Sequence, residues 1–94
     1  METVEFDAAE FLDTKEAQAA FLNEALATGD ASYIAKALGV IVRARGVSAI
    51  ARQTGLTREG LSKGLSEGGD PKLTTILQVL NALDLQFPPV QAGR

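Results

Sequence analysis

The chain has 94 residues and a formal net charge of −3, a length that supports one core of several helices, and it has no cysteine for a disulfide or a thiolate metal site. It also lacks histidine, the commonest general base and metal ligand, and no serine, lysine, carboxylate pair or the lone Tyr33 sits in a recognisable nucleophile or phosphate-loop arrangement; a non-enzyme without a cofactor is expected. No stretch approaches the roughly 20 apolar residues of a membrane helix and no targeting segment is visible, so the expectation is a cytoplasmic protein with no membrane partner.

Charge is divided along the chain. Residues 1–30 hold eight carboxylates against Lys15, a net of −7, whereas residues 31–94 hold eight cations against four carboxylates, a net of +4. A basic body suits phosphate, and an acidic arm suits solvent or a basic protein partner. Residues 1–12 mix carboxylates with Val4, Phe6, Phe11 and Leu12 without a sustained helical stripe, and read as an extended lead with a turn of helix. Asp13-Thr14-Lys15-Glu16 resembles a capping box that opens a first helix near Asp13 or Thr14. Ala17, Phe21, Leu22, Ala25 and Leu26 form its inner face, Lys15, Gln18 and Asn23 face solvent, and Thr28-Gly29 ends it. Asp30 caps a second helix to about Arg45, with Ile34, Leu38, Ile41 and Val42 at helical spacing and Gly46 just past its end. Arg43 and Arg45 fall in its last turn, where cations favour the helix dipole.

Residues 48–65 have the spacing of a DNA-binding helix-turn-helix. Two steeply crossing helices need a small residue at their closest approach, a turn residue that tolerates positive φ, and apolar locks to the core. Ala51, Gly55 and the trio Ile50, Leu56 and Leu61 meet those needs, and Thr57 falls at the N-cap of the second helix. The helices are expected over Ser48–Thr54 and Arg58–Ser66, the second presenting Arg58, Glu59, Ser62 and Lys63 outward. Gly60 and Gly64 each lower its propensity by about 1 kcal/mol, so close packing or close approach to a DNA backbone must justify them. After the loop at Ser66–Gly69, Asp70 as N-cap and Pro71 at the first position predict a fifth helix to about Leu83. Leu73, Ile76, Leu77, Leu80 and Leu83 form its apolar stripe, and Pro88-Pro89 leave residues 88–94 as a flexible tail. The expected organisation is an acidic lead over 1–12, a helical domain over 13–87 and that tail.

As a DNA reader, the motif assigns Arg58 to guanine, Ser62 to a base edge and Glu59 to cytosine N4. Lys63, Arg52 and the helix N-termini at Ser48 and Thr57 suit phosphate. A two-fold homodimer reading a palindromic operator would hold its recognition helices about 34 Å apart.

Segments spread over residues 6–87 resemble the addiction-module antidote proteins, small relatives of lambda-repressor and Cro-like (Xre-type) DNA-binding domains. They are Phe6-Asp7-Ala8-Ala9-Glu10-Phe11-Leu12, Ala19 to Leu26 with Gly29-Asp30, Ile41 to Gly46, Ile50 to Leu61 and Leu77 to Leu83. The resemblance implies an all-α, five-helix lambda-repressor-like fold. It also implies an antitoxin that represses its own promoter and neutralises a RelE/ParE-like toxin by direct binding. Phe6, Phe11 and Leu12 on the acidic arm are the residues expected to meet a basic toxin, the alternative being an arm folded on its own core with a solvated acidic face. Asp70 stands where relatives often have asparagine, so that loop is expected to stand off phosphate; Ser62 and Gly64 are smaller than the residues common there. The alternatives are a stand-alone phage-type repressor and a protein-interaction module whose helix-turn-helix does not bind DNA.

Overall fold

A computed structural model describes residues 8–87 and Ala92. A 3-10 turn at Ala8–Phe11 precedes α1 (Lys15–Ala27), α2 (Ala31–Arg45), α3 (Val47–Thr54), α4 (Arg58–Gly64) and α5 (Leu73–Leu83), with no strand among the described residues. None of these helices is long and apolar enough to cross a membrane. Phe6 and, apart from Ala92, residues 88–94 lie outside the described residues.

The fold is built around α2 because its middle is apolar or small on every side: Ala35, Ala37, Leu38, Gly39, Val40, Ile41 and Val42 are all buried. The 3-10 turn, α1, α3 and α4 pack against it, and α5 packs on α3. Leu38, Ile41, Leu61, Val79 and Leu83 are the largest fully buried side chains, each contributing about 1.5–3 kcal/mol of transfer free energy. Asp30 starts α2 as its sequence position predicts, one carboxylate oxygen accepting from the amides of Ser32 and Tyr33 at 3.0 and 3.3 Å. Gly46, at φ 108°, closes α2 and opens α3, its N–H donating to the Val42 carbonyl and its carbonyl accepting from Ile50. One close approach carries no sequence signal: a Cβ on Gly39 would fall on the carbonyl oxygen of Leu65, so α2 and the end of α4 meet backbone to backbone.

Several local expectations are corrected. Gln18, expected in solvent, is only 3% exposed. Its Nε2 donates to the Leu12 carbonyl at 3.0 Å, and its Oε1 accepts from Arg45 Nε at 2.9 Å. Arg45 also donates to the Leu83 carbonyl at 2.7 Å, so this side chain ties α2 to α1 and α5 besides complementing a helix dipole. Of the two starts Asp13 and Thr14, it is Thr14 that caps α1, accepting from the Ala17 amide, so only the capping box is corrected: Glu16 falls one position short of its reciprocal arm. The Asp70-Pro71 start also fails: Pro71 lies in the connecting loop, and α5 begins two residues later behind Lys72, which makes no side-chain cap. α4 stops at Gly64, where Leu65 turns into the core. The α5 stripe divides into buried Leu80 and Leu83, half-buried Ile76, and Leu73 and Leu77 at 64% and 47% exposed.

Asp84 follows α5 in the left-handed conformation, and its carboxylate receives a hydrogen bond from Lys15. That bond, with the charge of the same ammonium, lowers the Asp84 pKa from its ordinary value. A depressed carboxylate pKa stabilises the fold above the unfolded pKa, and the contribution disappears as pH falls through the folded one. Both groups are exposed. Lys15→Met should therefore lower Tm slightly near neutrality and not at all once Asp84 is protonated, and the difference should shrink at about 1 M salt, where the Debye length is about 3 Å. Thermal melts over pH at two salt concentrations check this.

The Gln18–Arg45 contact gives a sharper expectation. Arg45→Met alone orphans the buried Gln18 Oε1 and should cost about 1–3 kcal/mol, and Gln18→Leu alone removes the acceptor of Arg45 Nε. The double variant removes both partners and should cost less than the sum of the singles. Urea denaturation of the four proteins measures this, and strict additivity would show that the pair does not act as a unit.

Candidate nucleic-acid interface

The α3–turn–α4 unit is set by a few local bonds. Gly55 takes the left-handed conformation at φ 77° and donates to the Ala51 carbonyl, so the chain reverses where glycine has no steric penalty. Thr54 reinforces the turn: its hydroxyl donates to the Ile50 carbonyl at 2.8 Å and accepts from the Leu56 amide at 3.2 Å. Sequence spacing does not single out that residue, although a threonine before a turn glycine is the available signal. Thr57 caps α4 as expected, accepting from the Gly60 amide at 2.9 Å and keeping its hydroxyl hydrogen to donate outward. Ile50, Ala51 and Leu61 are buried and Leu56 packs against the same core, so each of the four apolar or small positions faces inward.

The unit therefore has a fixed outer surface. Ser48, Arg52, Thr57, Arg58, Glu59, Ser62 and Lys63 are all exposed, as is Gln53, which the sequence reading passed over. Ser48 follows Val47 at the opening of α3, whose cap is Gly46 with no side chain on its first amides. Three cations, Arg52, Arg58 and Lys63, stand against the single carboxylate Glu59, so this surface is basic although the whole chain is acidic. Of the residues expected on the arm, Phe11 is 64% exposed, whereas Leu12 is 6% exposed and belongs to the core.

Residues 2–91 match the family described as "Probable addiction module antidote protein". The chain belongs to this family. A relative of this chain in Haemophilus influenzae, called only an uncharacterized protein, is 46% identical over 88 residues, covering 94% of this chain and 91% of its own. No solved structure matches.

The reason for Gly60, left open by the sequence, lies in the cap. A Cβ there would stand 2.9 Å from Thr57 Oγ1, inside the contact distance that real Cβ atoms keep. Gly60→Ala should therefore fail to deliver the roughly 1 kcal/mol of helix propensity expected from the exchange. In a Thr57→Ala background, which itself costs about 1 kcal/mol, the same change should deliver most of it. Equal gains in both backgrounds, read from chemical denaturation midpoints, would show that the cap does not select glycine.

Proposed function

We propose that the protein is the antitoxin of a toxin–antitoxin pair, and that α3–turn–α4 is an Xre-type helix-turn-helix on a lambda-repressor-like body that binds operator DNA. The observation that carries the DNA half is the concentration of Ser48, Arg52, Thr57, Arg58, Glu59, Ser62 and Lys63 on one rigid, capped, solvent-facing unit with an excess of cations. In this reading α4 enters the major groove. Arg58 pairs with guanine O6 and N7, Ser62 meets a base edge and Glu59 accepts from cytosine N4. Lys63, Arg52, the Thr57 hydroxyl and the opening of α3 at Ser48 hold phosphates.

Family membership supports the antitoxin half, since an antidote acts on a toxin. The acidic first third, net −7 over residues 1–30, suits a basic RelE/ParE-like toxin, with Phe11 and Phe6 as apolar contacts and Leu12 supporting the 3-10 turn from the core. Exposed Leu73 and Leu77, one turn apart on α5, supply the apolar contact of a two-fold homodimer that brings two recognition helices to successive major grooves. A regulatory, non-enzymatic protein of the cytoplasm is the setting in which these parts cooperate.

Fluorescence anisotropy with the duplex upstream of its own gene and a scrambled duplex, over a salt series, tests the reading. Wild type should prefer the upstream duplex, with affinity falling as salt rises. Arg58→Ala should cost about 1–3 kcal/mol on that duplex and little on the scrambled one, whereas Lys63→Ala should weaken both alike and flatten the salt slope. Weak, equal binding to both duplexes by wild type would overturn the DNA assignment.

A further inference from the structure

Side-chain packing fixes α4 only in part. Leu61 is its one buried residue, and a groove of about 300 Å³ runs between it and α2, so the two helices do not interlock along their length. The angle of this seven-residue helix therefore depends on how its two ends are held. The first end has the Gly55 turn and the Thr57 cap. The second runs into the Ser66–Gly69 loop, which is folded back on the helix. Ser66 Oγ donates to the Lys63 carbonyl at 2.8 Å, the Gly69 amide donates to the Ser66 carbonyl at 2.8 Å, and a Cβ on Gly69 would collide with the Gly64 carbonyl. A loop closed this tightly moves with α4.

One turn of α2 grips that loop at two consecutive residues. Ser32 Oγ accepts from the Gly68 amide at 2.7 Å, and Lys36 Nζ donates to Glu67 Oε2 at 3.2 Å. Ser32 and Lys36 are four apart and so share a face of α2, whereas their partners lie 36 and 31 residues away in sequence. We propose that Ser32 and Lys36 are positioning residues, a clip through which α2 sets the angle of the helix that reads DNA. Neither belongs to the set assigned to DNA contact. The clip stands on these bonds alone, and its consequence for recognition rests on the DNA reading above. If α4 rocks, Arg58, Glu59 and Ser62 lose their common register on base edges, while attraction of cations to phosphate, which carries no sequence information, survives. The clip thus governs sequence preference more than overall affinity. Ser32 is its stronger half, because an exposed ion pair such as Lys36–Glu67 contributes little and is screened by salt.

Native-state amide exchange of the full chain reads the clip without DNA. The Leu61 and Leu65 amides, bonded to the Thr57 and Leu61 carbonyls, report α4, and those of Ile41 and Val42 report α2. If α4 opens only by breaking the clip, Ser32→Ala should speed exchange at Leu61 and Leu65 by a few-fold to about tenfold, the range of one hydrogen bond. The rise at Ile41 and Val42 should be smaller, because the higher helix propensity of alanine in α2 offsets the loss against full unfolding. Ser32→Thr, which keeps a hydroxyl, should restore slow exchange. Lys36→Met should give a smaller rise that disappears at about 1 M salt, where the Debye length is about 3 Å, while the effect of Ser32→Ala persists. Unchanged exchange at Leu61 and Leu65 in Ser32→Ala means that α4 opens with the loop still attached, and overturns the clip. In the anisotropy titration, Ser32→Ala should lower the ratio of upstream to scrambled affinity a few-fold with the salt slope unchanged, and Ser32→Thr should restore it. Faster exchange with an unaltered ratio overturns the positioning role. If wild type itself prefers neither duplex, the DNA reading fails while the exchange result still decides the clip.

Discussion

Arg45 joins the parts that the apolar core leaves separate. Its guanidinium donates to Gln18 on α1 and to the carbonyl of Leu83 at the end of α5, and Gln18 in turn donates to the carbonyl of Leu12. The lead, α1, α2 and α5 thereby share one polar bracket in a mostly apolar setting. Hydrophobic burial is non-directional, whereas an orphaned polar atom at Gln18 would cost about 1–3 kcal/mol, so the bracket fixes which arrangement of helices the core adopts. With α2 held at its C-terminal end, Gly46 directs the chain into α3.

Two glycines and one threonine then orient the exposed unit. Gly39 lets α2 meet the end of α4 backbone to backbone, Gly55 reverses the chain, and Thr57 both caps α4 and makes an alanine at position 60 crowded. The outcome is a short helix whose inner contact is Leu61 and whose remaining side chains are offered outward. Charge follows the same division: the acidic residues cluster in the first third of the chain, leaving an excess of cations on α3 and α4.

Features governed by neighbours in sequence were legible before the structure. Asp30, Thr57, Gly46 and Gly55 act as caps or turns through bonds spanning a few residues, and each does so. Features governed by distant partners were not. Gln18 looks solvated because its partner Arg45 lies 27 residues away, and Gly39 looks like an ordinary helix residue until Leu65 is brought against it. Leu73 and Leu77 share the period of Leu80 and Leu83, and periodicity alone cannot separate a core-facing stripe from one left for another surface. Asp70-Pro71 is a real local start signal, yet α5 begins only at Leu73, behind Lys72. Arg58, Glu59, Ser62 and Lys63 were legible as outward positions of α4, since a capped helix with one inward leucine leaves few places for them to point.

The proposed function requires that α3 and α4 form the DNA-contacting surface. The most direct measurement is an amide chemical-shift titration of the nitrogen-15-enriched protein with the duplex upstream of its own gene. Shifts concentrated at Ser48, Arg52 and the segment from Thr57 to Lys63, with α1 unaffected, are the predicted result. Shifts gathered on α1 or α5 with the 48–63 segment silent, or no shifts at low salt, would contradict it.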